Sequence, residues 1–177
     1  MNYSVIKEFD IANGPGCRTT LFVSGCRNYC KGCFQPETWD FGYGAPFDEA
    51  VQGAVLDSLD PDYVQGLTLL GGDPFEEENQ EALTILLEAV RERYGDKKDI
   101  WAYTGYVYES DLTEGGKKHT GFTGRMLRCI DILVDGPFVL EQKNICLQFR
   151  GSENQRILDV KKTIEAGHGV LAEGYGQ

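Results

Sequence analysis

The sequence predicts an α/β fold, an open and incomplete (β/α) barrel of about five or six mainly parallel strands, and three observations carry that prediction. Short apolar runs of strand length alternate along the chain with stretches of helical period. The segments that concentrate cysteine, glycine and proline each follow one of the strand-length runs, where sheets built from βα units put their sites. The length, 177 residues, suffices for one hydrophobic core but falls short of the ~250 residues of a closed eightfold barrel. No repeat, low-complexity tract or long linker divides the chain, so residues 1–177 are read as one domain.

The elements follow in order. "RTTLFV" (18–23) is β-branched and apolar, as a buried strand requires. "DEAVQGAVLDSLD" (48–60) spaces Val51, Ala54, Val55 and Leu59 on one helical face behind an N-cap candidate, Asp48. "GLTLL" (66–70) is a second strand. The clearest helix is "EEENQEALTILLEAVRERYG" (76–95): Leu83, Leu86, Leu87 and Val90 form its stripe, acids fill its first turn, and Gly95 ends it. "DIWAYTG" (99–105), "CIDILVDG" (129–136) and "QRILDV" (155–160) read as further strands, and within 106–128 "TEGGKKHTG" reads as a loop between two short helical pieces.

Composition excludes several functions. With 17 Lys+Arg against 28 Asp+Glu the net charge is −11, which repels phosphate backbones and argues against a nucleic-acid partner. No apolar run approaches the ~20 residues that span a bilayer, and "MNYSVIKEFDIANGPG" lacks the basic and apolar regions of a signal peptide. The expected location is the cytoplasm, where clustered cysteines are ligands or catalysts and not disulfides. Only two histidines, His119 and His168, are available for metal or triad chemistry.

Of the six cysteines, only Cys26, Cys30 and Cys33, in "SGCRNYCKGCF", have ligand spacing. A structural zinc would need a fourth thiolate, from Cys17 or Cys129, and zinc ligands usually come as two CxxC knuckles. A fully ligated electron-transfer cluster would also need four. The third reading is a [4Fe–4S] cluster on three thiolates, with one iron open to a ligand that reacts. "GGDP" (71–74) taken by itself is a turn. Asp135, in "VDGPF", is equally a site carboxylate or a turn residue. Arg18 is read as an exposed pair partner, Arg150 and Asn154 as holding an anion or ordering a loop, and His119 as solvent-exposed.

The spacing Cys26-x3-Cys30-x2-Cys33 after the first of these strands resembles the radical S-adenosylmethionine enzymes. "NGPGCRTTLFVSGC", "FQPETWD", "LTLLGGDPF", "DIWAYTGY", "LVDGPFV" and "FRGSENQRI" extend the resemblance over residues 13 to about 157. Much of that superfamily has an aromatic before the third cysteine; Gly32 stands there instead. That is similar to the branch that activates anaerobic ribonucleotide reductase.

The resemblance implies one [4Fe–4S] cluster on Cys26, Cys30 and Cys33, with S-adenosylmethionine chelating the open iron. It implies that Gly71, Gly72 and Asp73 receive the methionyl ammonium, and that Gly32 and Phe34 belong to the cofactor site, Phe34 against adenine. Cys17 takes a position the family does not use as a ligand. The implied reaction is reductive cleavage of S-adenosylmethionine to a 5′-deoxyadenosyl radical, which takes hydrogen from a glycine of the large catalytic subunit of anaerobic ribonucleoside-triphosphate reductase. Flavodoxin or a similar donor would supply the electron. Two alternatives stand beside this: an activase of another glycyl-radical enzyme such as pyruvate formate-lyase, and a non-catalytic module stabilised by zinc or a cluster.

Overall fold

The structure, a computed structural model, describes residues 1–175. Seven strands form one open sheet: β1 (Asn2–Asp10), β2 (Cys17–Val23), β3 (Ala45–Pro46), β4 (Val64–Gly71), β5 (Asp99–Tyr103), β6 (Ile132–Asp135) and β7 (Arg156–Asp159). Their order is β3-β1-β2-β4-β5-β6-β7. The pairs β2–β4, β4–β5 and β5–β6 are parallel, while β1 with β2, β1 with β3, and β6 with β7 are antiparallel.

The open, mostly parallel α/β sheet is as expected, but it has seven strands and not five or six. The parallel centre is as read, but it has four members. The strand read at 155–160 runs antiparallel, and β1 escaped the sequence reading altogether. Its exposure explains why: as an outer strand with Val5, Lys7, Glu8 and Phe9 exposed, it needs no apolar alternation.

The helices are α1 (Glu49–Ser58), α2 (Glu77–Tyr94), α3 (Thr123–Cys129) and α4 (Val160–Ala166). Asp48 caps α1 by accepting the Val51 amide at 2.9 Å, and Gly95 ends α2 with φ +57°. Period-2 alternation divides the sheet's two faces. Leu21, Leu67, Leu69, Ile100, Ala102 and Leu133 turn to the helix layer and meet the Leu83, Leu86, Leu87 and Val90 stripe of α2. Trp101, Val134 and Ile157 turn to the other face, where Tyr103, Phe149 and Tyr175 pack on them. On this second face Phe22, Leu70 and Tyr103 line a large cavity.

Arg18 is buried completely, not exposed as its sequence context suggested. It sits at the start of β2, where its guanidinium pairs with Asp99 and donates to Thr68 Oγ1 at 2.7 Å, Leu67 O at 3.0 Å and Pro15 O at 3.2 Å. One side chain thus ties together three parallel strands and the loop before β2. Removing one partner of a buried pair strands the other, so Arg18→Met is expected to lower unfolding free energy by about 3 kcal/mol. Urea denaturation measures this; a loss under about 1 kcal/mol would mean the pair behaves as a surface bridge.

Candidate functional site at the strand ends

Four chain segments meet at the C-terminal ends of the parallel strands. β2 ends at Val23, and the chain turns at Gly25 (φ +96°) into the cysteine loop. The short 3-10 helix Pro36–Trp39 then returns to hold the loop's start: Gly25 donates to Thr38 O at 2.8 Å and Cys26 to Trp39 O at 3.2 Å. Within the loop, Cys33 N donates to Cys30 O at 3.0 Å, closing a turn through Gly32 (φ +77°).

The neighbouring strand β4 ends at Gly71, and its following turn is laced to the cysteine loop by backbone. Gly72 N donates to Val23 O at 2.7 Å and Asp73 N to Gly25 O at 2.8 Å. A Cβ on Gly72 would stand 2.5 Å from Gly25 O. The glycine is needed for backbone-on-backbone packing against the cysteine loop itself.

The cavity, of about 750 Å³, is lined by Cys26, Cys30 and Cys33 together with Gly71, Gly72 and Asp73. Phe34 lines it too; its ring lies 5.8 Å from that of Phe138, with Lys143 Nζ 5.1 Å from its centroid. Gly32 does not line the cavity: it makes the left-handed turn and packs toward Leu140. The other three cysteines stand apart from this group. Cys17 begins β2, so the strand, at about 3.3 Å per residue, separates it from the loop by roughly 20 Å. Cys129 ends α3 before the start of β6, and Cys146 is exposed in the β6–β7 connection.

Among the described residues no three Cys, His, Asp or Glu side chains converge on a point where a single metal ion would sit. Cys26, Cys30 and Cys33 all line the one cavity, and a donor set of thiolates suits an iron–sulfur cluster, which takes its ligands at separate corners. Burial, then the charge of Asp73, pushes the Cys26 thiol up to about 12 in the metal-free chain, and burial raises Cys30. Loading metal therefore releases protons.

Asp73 is buried, and its carboxylate is engaged by four groups: the amides of Phe75 and Gly105, both at 2.9 Å, Thr104 Oγ1 at 2.8 Å and Asn28 Nδ2 at 3.0 Å. It joins the cysteine loop, through Asn28, to the end of β5. Burial nonetheless outweighs these donors and raises its pKa to about 7.

Glu76 is also fully buried, with Oε1 accepting from the Arg27 amide at 2.7 Å and Tyr106 Oη at 2.6 Å, and Oε2 from Arg27 Nη1 and Lys118 Nζ, each at 2.7 Å. Burial alone would raise its pKa, but these donors more than offset it and hold it below the usual carboxylate range. Sequence reading counted Glu76 merely among the acids of a helix's first turn and did not single out Asn28, Thr104 or Lys118. The only signal was that so many acids stand at the start of α2.

Asp135, Arg150 and Asn154 make internal contacts. Asp135 is buried and accepts from Arg156 Nε at 2.9 Å and the Tyr108 amide at 2.9 Å. Arg150 lines the cavity while donating to Gln155 O at 2.9 Å, and Asn154 donates to Pro137 O at 2.7 Å, so both order the β6–β7 connection. His119 is exposed.

Comparison with known proteins gives the family. A family model described as a 4Fe-4S single cluster domain matches residues 12–158. The chain is 42% identical over 159 residues to the anaerobic ribonucleoside-triphosphate reductase-activating protein of Haemophilus influenzae, covering 89% of this chain and 97% of that one. The chain belongs to the family of anaerobic ribonucleoside-triphosphate reductase-activating proteins. The activating protein of enterobacteria phage T4 is 38% identical over 159 residues, covering 89% of this chain and 93% of its own. That of Escherichia coli K12 is 38% identical over 157 residues, covering 88% and 96%. Among the described residues no helix is long and apolar enough to cross a membrane.

Two predictions follow from the geometry of this family member. Gly72→Ala should lower iron and sulfide per chain on anaerobic reconstitution, because the methyl group displaces Gly25 and with it Cys26; undiminished cluster content would show that the turn can yield. For Asp73, a raised folded pKa means that its contribution to stability is present below 3.8 and is lost as pH rises toward about 7. The stability difference between wild type and Asp73→Asn should shrink across that window and level off above it. Urea unfolding at a series of pH values checks the sign; a difference that grows with pH would mean that the four donors outweigh burial.

Proposed function

We propose that this chain activates an anaerobic ribonucleoside-triphosphate reductase by radical S-adenosylmethionine chemistry. Cys26, Cys30 and Cys33 would hold one [4Fe–4S] cluster and leave one iron for the methionyl group. The observation that carries the reading is the shared cavity wall, where three thiols and the glycine turn after β4 face the same space. When bound, the cluster and S-adenosylmethionine supply one-electron cleavage of the sulfonium and a radical able to take hydrogen from a glycine α-carbon.

The chain's own residues bind, orient and exclude water. The Gly71 and Gly72 carbonyls are acceptors suited to an ammonium. Asp73, whose oxygens are already engaged by four donors, supports them by fixing the turn against Asn28 and Thr104. Phe34 and Phe138 supply apolar cover on the adenosyl side. In this reading the sheet is an incomplete (β/α) barrel, and its missing side admits the partner's glycine-bearing loop. A flavodoxin-like donor in the cytoplasm would deliver the electron, and residues 1–177 would act as one domain.

The test takes the six single Cys→Ala variants through anaerobic reconstitution. Cys26→Ala, Cys30→Ala and Cys33→Ala should lose the cluster, and Cys17→Ala, Cys129→Ala and Cys146→Ala should keep it, by iron and sulfide analysis. The wild-type protein with dithionite, S-adenosylmethionine and the cognate reductase should give a glycyl-radical doublet by electron paramagnetic resonance. Deuterium at that glycine's α-carbon should appear in 5′-deoxyadenosine. One bound zinc and no labile sulfide would support a binding module instead, and an intact cluster with no radical on the reductase would point to another substrate.

A further inference from the structure

We propose that Glu76 is a positioning residue for the cluster, fixing the Cys26 end of the cysteine loop and placing beside it a buried negative charge balanced by Lys118 and Arg27. The proposal rests on the cluster reading above and concerns a residue just beyond the ligands.

Glu76 stands at the N-cap of α2, where an acidic side chain ordinarily accepts from the amides of the helix's first turn. It makes no such bond. The side chain reaches instead to the residue directly after Cys26, taking both the Arg27 amide and its guanidinium. On the far side, Lys118 Nζ and Tyr106 Oη close the arrangement, and Gln80 Nε2, one turn along α2, secures the Lys118 backbone at 2.8 Å. Arg27 is held additionally by Glu78 and by the Phe41 ring, 4.3 Å from its guanidinium carbon.

A buried ion network is a poor way to add stability, since apolar residues of similar volume often serve as well or better. What it does supply is a fixed loop and a fixed field. Addition of an electron makes a cluster more negative, so a nearby carboxylate opposes reduction and a nearby ammonium favours it.

The experiment measures cluster content and midpoint potential by dithionite titration, one electron per cluster, on wild type, Glu76→Gln, Lys118→Met and the double variant. Glutamine keeps an acceptor for the Arg27 amide but removes the charge. The expected result is a higher potential in Glu76→Gln, a lower one in Lys118→Met, and a return toward wild type in the double variant. A merely structural role would loosen the loop in both single variants and move them in the same direction. Shifts of the same sign, or no shift in either, would overturn the proposal. If Glu76→Gln takes up no cluster, Lys118→Met decides alone, and an unchanged or raised potential overturns it. Wild-type protein that takes up no iron and sulfide would defeat the cluster reading itself, an outcome separate from any failure among the variants.

Discussion

The site depends on how closely two backbone turns approach each other at the ends of β2 and β4. The parallel register sets Val23 opposite Gly71. The pairing then continues past both strands, through the bonds from Gly72 N to Val23 O and from Asp73 N to Gly25 O. The cysteine loop and the glycine turn are thereby one continuous edge. A side chain at position 72 would force that edge apart, while one at position 25 would run into the Phe41 ring and carry the further strain of a φ near +96°. Whatever binds between the thiols and the turn meets a wall whose shape is set by main chain, the part of a protein least able to drift.

Around that edge, two buried carboxylates treat charge differently. Asp73 is engaged by two amides, a hydroxyl and a side-chain amide, all uncharged donors, and burial wins, lifting its pKa to about 7. Glu76 has two cations among its donors and stays ionised. Both anchor the stretch between Cys26 and Cys30, Asp73 through Asn28 and Glu76 through Arg27. The loop is thus held from its backbone and side chains on one side, while its thiols remain turned to the cavity.

The opposite ends of the same strands are closed by different means. Arg18, Asp99 and Thr68 form a buried polar plug across β2, β4 and β5. Trp101, Phe149 and Tyr175 pack edge to face nearby. Polar satisfaction at one end and glycine packing at the other leave the cavity accessible from the strand ends that carry the cysteines.

Local chemistry was enough to read the elements whose signals are local. Asp48 as a cap, the α2 stripe, Gly95 as a stop, the four parallel strands and the three cysteines of ligand spacing are all visible in short windows, because capping, periodicity and ligand spacing act over a few residues. The sequence could not reveal β1, an outer strand whose pairing comes from β2, or the antiparallel direction of β7, which is decided by the connection from β6. Nor could it show that Arg18 is buried, that Gly72 packs on Gly25, or that Glu76 serves the cysteine loop. Each of these depends on a partner roughly 50 or more residues away, such as Arg27 for Glu76 and Thr68 for Arg18. Only the folded sheet, by bringing the ends of β2, β4 and β5 together, gives those residues their roles.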